Sequence, residues 1–285
     1  MPSSSNATPA VEIDIRHAAA AATESNGCAL PVLPEVALQL LDLTADIDCD
    51  PADIVGLFRR DQSLTGHLLK TVNSARYSSG QTVTSIQQAV ARMGLLQVRE
   101  IVFLISCKCK VFYVRGFEDD VRRSFEKSLA TAAFSQEIAR LRRLNVEDAF
   151  LCGLLHDVGR PVLLQTMSDL RTASGCGWSN EVIRDAAAEF RVPMACRLVH
   201  SWDLPERISE TIFHQSTPLE APHSEIPAAM LNLAIDLADR AISGNLDADQ
   251  ECTHPLSDVL TLYPEDLKRV VRKGADIIDW VRSSA

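Results

Sequence analysis

The chain has 285 residues, 46% hydrophobic and 23% charged, and a net charge of −10, enough for one large domain or two modest ones. That acidic balance argues against a protein that lives on phosphate contacts. No apolar stretch reaches the roughly 18 residues of a membrane span, and the Ser/Pro-rich start carries no signal-peptide pattern, so the expectation is a cytoplasmic protein without membrane contact. Aromatics at 5% with abundant Ala and Leu favour helices over strands. The eight cysteines are irregularly spaced. The nearest pair, Cys107 and Cys109, would face different sides of a helix, so they read as reduced, mostly buried thiols.

In chain order, residues 1–26 read as a loose arm in which Val11 to Thr23 forms at most a marginal helix. The folded part begins at Leu30-Pro31-Val32-Leu33-Pro34, followed by helical spacing over Glu35 to Leu43. Asp50-Pro51 opens a helix, with a capping carboxylate and proline at the first helical position. Ser63 to Asn73 is amphipathic, with Leu64, Leu68, Leu69 and Val72 on one face. Ser85-x-x-Gln88 is a capping box for a short helix that Gly94 stops, and a long apolar helix runs from Leu96 to Phe112. After a break near Gly116, Asp120 to Arg143 forms a long helix. Asn145 caps the next, Val146 to Met167, with a bend expected at Pro161. A turn at Gly175 to Trp178 precedes helices at Glu181 to Phe190, Pro193 to Ser201 and Pro205 to Gln215. Ile226 to Ser243 ends at Gly244, and the last helix runs from Pro264 toward Val281. No strand run and no internal repeat is visible; the fold class is all-α.

The stretch Asn145 to Leu164, NVEDAFLCGLLHDVGRPVLL, carries the chemical signal. A His156-Asp157 doublet inside an apolar helix is costly unless both groups are bonded. In metal-dependent phosphohydrolases such a doublet reaches one divalent ion. The surrounding Gly-Leu-Leu-His-Asp-Val-Gly string is far more specific than the doublet alone.

Together with Leu30 to Pro34, Asp61-Gln62-Ser63-Leu64-Thr65, Val72-Asn73-Ser74-Ala75, Tyr77, Ser85 to Ala89, Met93-Gly94-Leu95 and Trp202-Asp203-Leu204-Pro205, this string makes the chain resemble the HDOD proteins, a bacterial offshoot of the HD phosphohydrolase superfamily. The likeness spans roughly Ala29 to Ala241. It implies an N-terminal helical lobe (27–116) packed on a degenerate HD-type lobe (117–285, with a C-terminal helical extension), and a regulatory rather than enzymatic role in bacterial signalling.

The resemblance also implies a ligand set. His156 and Asp157 match it. The first superfamily histidine falls on Lys127, a further one on Arg191, and the paired histidines on His214-Gln215. The closing aspartate falls on Asp239, with Asp236 as the competing choice. Lysine and arginine offer a metal no lone pair, so the expectation is no metal, no cofactor and no catalysis. The site is expected to survive as a polar network in which Lys127 supplies the charge a metal once supplied to Asp157 and Asp239. A metal-dependent phosphohydrolase or cyclic-nucleotide phosphodiesterase is the alternative.

Other features carry less. Ser85 to Phe103, split at Gly94, has the outline of a DNA-binding helix-turn-helix, but its second helix is too continuously apolar for a groove, and an ordinary helical corner is the expectation. His67 and His200 read as structural or surface groups, Trp202 and Trp280 as packing residues, and Asn73 as an inward amide bonding backbone. Basic residues outnumber acidic ones between Arg92 and Arg143, so a protein signalling partner or a small anion is the expected binding class, and duplex DNA is not. The oligomeric state is left open. No P-loop or Ser/His/Asp arrangement is present.

Overall fold

A computed structural model describes residues 14–24, 30–31, 39, 56, 62–73, 82–94, 97–98, 100–102, 114–247 and 254–284. The helices expected over Glu35 to Leu43 and from Asp50, most of the Leu96 to Phe112 helix, the Cys107/Cys109 pair, and the motif residues Val32 to Pro34, Asp61, Ser74, Ala75, Tyr77 and Leu95 lie outside them. Among the described residues every regular element is helical, and no helix is long and apolar enough to cross a membrane.

Helix α1 (Ile15–Glu24) is better formed than a loose arm: its Ala19 and Ala22 are buried. Helices α2 (Gln62–Val72) and α3 (Ile86–Met93) pack together, and Asn73 ties the end of α2 to Val83, just ahead of α3. Its Nδ2 donates to Leu69 O at 2.8 Å and Val83 O at 2.9 Å, and its Oδ1 accepts from Val83 N at 2.8 Å. The polar group thus bonds backbone, as its position in the Val-Asn-Ser-Ala string suggested. Ser85 caps α3 by accepting from Gln88 N at 3.2 Å. The Gln88 side chain reaches one residue further back than a capping box would, to Thr84 N at 2.9 Å. Gly94 ends the helix at φ +79°, where a side chain would be strained.

The rest of the molecule is built on α4 (Glu118–Arg142), a 25-residue helix. Asn145 caps α5 (Val146–Leu155), its Oδ1 accepting from Glu147 N at 3.0 Å and Asp148 N at 3.1 Å. The continuous helix expected from Val146 to Met167 is two helices. The chain leaves α5 at Leu155, turns through His156-Asp157-Val158, and resumes as α6 (Gly159–Ser174). Pro161 is therefore in a first turn, where its missing N–H has no helical acceptor to lose, and the break falls on the doublet itself. Conversely, the two short helices expected on either side of Pro193 are one, α7 (Asn180–Ser201).

Helix α8 (Glu206–Phe213) is followed by a 3₁₀ turn at Pro218–Glu220 and by α9 (Glu225–Ile242). The terminal helix divides at Lys273 into α10 (Pro264–Arg272) and α11 (Gly274–Ser284). Phe134, Leu129 and Ile138 of α4 and Leu154 of α5 are among the largest fully buried side chains. Helix α1 lies on α7, where Arg197 donates to Ala22 O and Arg16 meets Glu189 at 3.1 Å. Trp202 Nε1 donates to Pro31 O at 2.9 Å, so Trp202 is a tether as well as a packing group.

Candidate functional site

Two glycines frame the doublet, and both are dictated by close approach. A Cβ on Gly153 would sit 2.4 Å from Ala132 Cα, and one on Gly159 would sit 2.0 Å from the carbonyl oxygen of Arg191. The first lets α5 press against the Ala-rich middle of α4. The second lets the start of α6 press against α7 at the residue that supplies a guanidinium to the site. The turn between them presents His156 and Asp157, 2% and 4% exposed, to α4, α7 and the end of α8.

Asp157 is partnered on both oxygens. Its Oδ2 accepts from Ser124 Oγ at 2.6 Å and from Arg160 Nε at 3.0 Å, and its Oδ1 faces Arg191 Nε at 3.2 Å. A carboxylate with two guanidiniums and a hydroxyl is compensated for burial. Here the expected wiring is corrected. The cation on Asp157 is not Lys127 but Arg191 from α7, with Arg160 from the first turn of α6.

Lys127 Nζ instead contacts Asp239 Oδ2 at 2.7 Å, with side chains 29% and 53% exposed. That pair is a half-solvated bridge between α4 and α9, not a buried one. Asp236, the competing choice, pairs with Arg240 on its own helix at 3.5 Å.

His156 Nδ1 lies 2.7 Å from Gly153 O. A carbonyl only accepts, so Nδ1 carries the proton and Nε2 is a bare lone pair. Nε2 is buried and has no partner among the described residues. Burial pushes the imidazole pKa down to about 4. The Asp157 charge and the Gly153 carbonyl oppose this, and the Lys127 and Arg191 cations reinforce it.

His214 closes α8 with its ring edge-on to Phe213 at 5.0 Å, and its buried Nδ1 has no partner among the described residues. Gln215, at the second position of the expected histidine pair, donates through Nε2 to His156 O at 3.3 Å and Ile212 O at 3.0 Å, and its backbone carbonyl accepts from Asn232 Nδ2 at 2.7 Å.

The structure therefore brings His156, Asp157 and Arg191 together, pairs Lys127 with Asp239, and places His214 beside Gln215, which touches the doublet backbone. Sequence reasoning missed Ser124 and Arg160. The i, i+3 spacing of Asp157 and Arg160 was a usable signal, whereas Ser124, 33 residues away from Asp157, gave none.

The donor set does not fit the divalent ion of the HD superfamily. Asp157 Oδ2 already accepts two hydrogen bonds and Oδ1 is ion-paired with Arg191, Asp239 holds an ammonium, and the Lys127 and Arg191 charges that disfavour a proton on His156 would also disfavour a cation there. Among the described residues no three His, Cys, Asp or Glu side chains converge as ligands.

Comparison with known proteins places this geometry. The HDOD domain family matches residues 30–218. An uncharacterized protein of Treponema pallidum (strain Nichols) is 25% identical over 232 residues, 74% of this chain but 43% of the relative, so the chain spans less than half of that relative's length. Solved structures share the fold. A protein of Shewanella amazonensis SB2B, provisionally described as a phosphohydrolase, superposes with TM-score 0.70 at 20% identity, over 94% of this chain and 98% of its own. An HDOD domain protein of unknown function from Geobacter sulfurreducens gives 0.66 at 20%, over 94% and 97%. A protein of Marinobacter aquaeolei VT8, provisionally described as acting in signal transduction, gives 0.66 at 21%, over 96% and 67%. With the motif string, the all-helical fold and the match over residues 30–218 in agreement, the chain belongs to the HDOD family.

Proposed function

We propose that this protein is a non-catalytic, cytoplasmic HDOD regulator that works by binding a protein partner or a small ligand, its ancestral metal site replaced by an internal charge network. One observation carries the reading. Asp157, the carboxylate that would anchor a metal, is closed by Arg160, Arg191 and Ser124. A guanidinium cannot deprotonate near neutral pH to free those oxygens, so a metal ion would have to break both ion pairs to reach them.

The enzymatic reading keeps one supporting feature, the bare Nε2 of His156. Elemental analysis of the purified protein, with and without added manganese, separates the two. The expected result is well below one metal ion per chain and no metal-stimulated hydrolysis of a phosphodiester. About one ion per chain, lost in His156→Ala, overturns the proposal.

A further inference from the structure

The hydroxyl side chains of Ser124, Ser128, Thr131 and Ser135 follow one another along α4 at a spacing that sets them in one line down the helix. All are buried. Ser124 donates to Asp157, whereas the hydroxyls of Ser128, Thr131 and Ser135 have no partner among the described residues. Elsewhere in the molecule helical hydroxyls turn back on their own backbone. Thr166, Thr172, Ser174, Thr211 and Ser243 each donate to the carbonyl oxygen one turn earlier.

The line runs past the doublet. A Cβ on Gly153 would lie 2.9 Å from the carbonyl carbon of Thr131, so this part of α4 lies against the turn of α5 whose Gly153 carbonyl receives His156 Nδ1. Two more buried atoms without a partner among the described residues belong to the same neighbourhood, His156 Nε2 and Gln215 Oε1. Both only accept. The proton on Nδ1 leaves Nε2 a lone pair, and the Gln215 amide is oriented by the two carbonyls to which its Nε2 donates.

Buried polar atoms are normally satisfied by protein or by ordered water. The hydrogen-bond balance selects the occupant here. An anion cannot donate to Nε2 and Oε1, and the Lys127 and Arg191 charges disfavour a cation. Water donates twice and accepts from hydroxyls. We infer that α4, the doublet turn and the end of α8 enclose a binding site for ordered water, which donates to His156 Nε2 and Gln215 Oε1 and accepts from the hydroxyls of Ser128 and Thr131. The inference rests on the metal-free reading of the doublet. Water in this place holds His156 in its Nδ1-protonated form and joins α4 to α8 across the doublet.

The test uses NMR of the full chain labelled with ¹⁵N-histidine and ¹³C-methyl threonine, the signals being assigned by His156→Asn and Thr131→Val. His156 Nε2 should resonate at the position of a hydrogen-bonded lone pair, and the Thr131 methyl should show a cross-relaxation peak to long-lived water. Ser128→Ala, and independently Thr131→Val, should move Nε2 toward the position of a free lone pair; either variant suffices if the other fails to fold. Chelator should leave Nε2 unmoved. An Nε2 signal that moves with chelator marks a bound cation and overturns the metal-free reading together with the site. An Nε2 signal at the free position and indifferent to chelator overturns the water site alone, even if the methyl peak persists, since exchange of the Thr131 hydroxyl would then account for that peak. An Nε2 signal unmoved in both variants overturns the assignment of Ser128 and Thr131.

Discussion

His156 gives the sharpest handle on the interior of this protein, because its protonation is coupled to folding. In the folded chain its pKa is held at about 4, against an ordinary value of 6.5. Between those values the unfolded chain binds a proton that the folded chain does not, so lowering the pH favours unfolding. The contribution of the neutral imidazole is fully present above pH 6.5 and is lost as the pH falls toward 4. The linkage predicts a loss of about 2 kcal/mol between pH 7.5 and pH 5, and about 3 kcal/mol once the folded value is passed. Urea denaturation across that range measures it. His156→Asn is the reference, since an amide nitrogen can keep donating to Gly153 O and does not titrate. His254, also held below its ordinary value, chiefly by burial, cancels in the difference between the two proteins. The wild-type profile should fall more steeply than the variant's by about 2 kcal/mol over the interval. Parallel profiles, or a His156 ring that titrates at 6.5 or above by NMR, refute the argument.

Three further outcomes follow from the geometry. Arg191→Ala removes one of the charged partners of a buried carboxylate but leaves Arg160 and Ser124, and should cost about 1–3 kcal/mol in thermal or urea denaturation. Lys127→Ala should cost less than about 1 kcal/mol, because its bridge to Asp239 is half-solvated and screened; a loss of about 3–5 kcal/mol, the range for breaking a buried pair, would show that the bridge is desolvated in solution. Gly153→Ala drives a methyl into the backbone of Ala132 and should destabilise by roughly 3 kcal/mol or more, whereas adding a methyl at Gly177, which has open space and no positive φ, should change the melting temperature little.

Much of the helical frame was readable because helix ends write themselves locally. Asn145, Gly94 and Gly175 each act on backbone within a turn of their own position, so composition and spacing locate them. The prolines were misleading for the opposite reason. Pro161 reads as a bend and Pro193 as a boundary, but Pro161 falls in a first turn and Pro193 stays inside α7, outcomes set by what packs against those helices. His156, Asp157 and Arg191, singled out through the family resemblance, lie together in the structure. It did not foresee how the charges pair. Which guanidinium reaches Asp157 depends on how closely α6 approaches α7, and that distance is set by a missing side chain at Gly159, which no charge pattern reveals.

The ion pairs at Asp157 also fix how the protein stands toward its chemical surroundings. A metal ion held by side chains is in exchange with the medium, so its occupancy follows supply, competitors and chelators. Arg160 and Arg191 are counter-ions joined to the same chain, present at a fixed ratio and a high effective concentration. They cannot be stripped by a chelator or starved away. On the proposed reading the charge at this centre stays constant across growth conditions that would fill or empty a metallohydrolase, and a melting temperature unchanged by chelator is its expected laboratory signature.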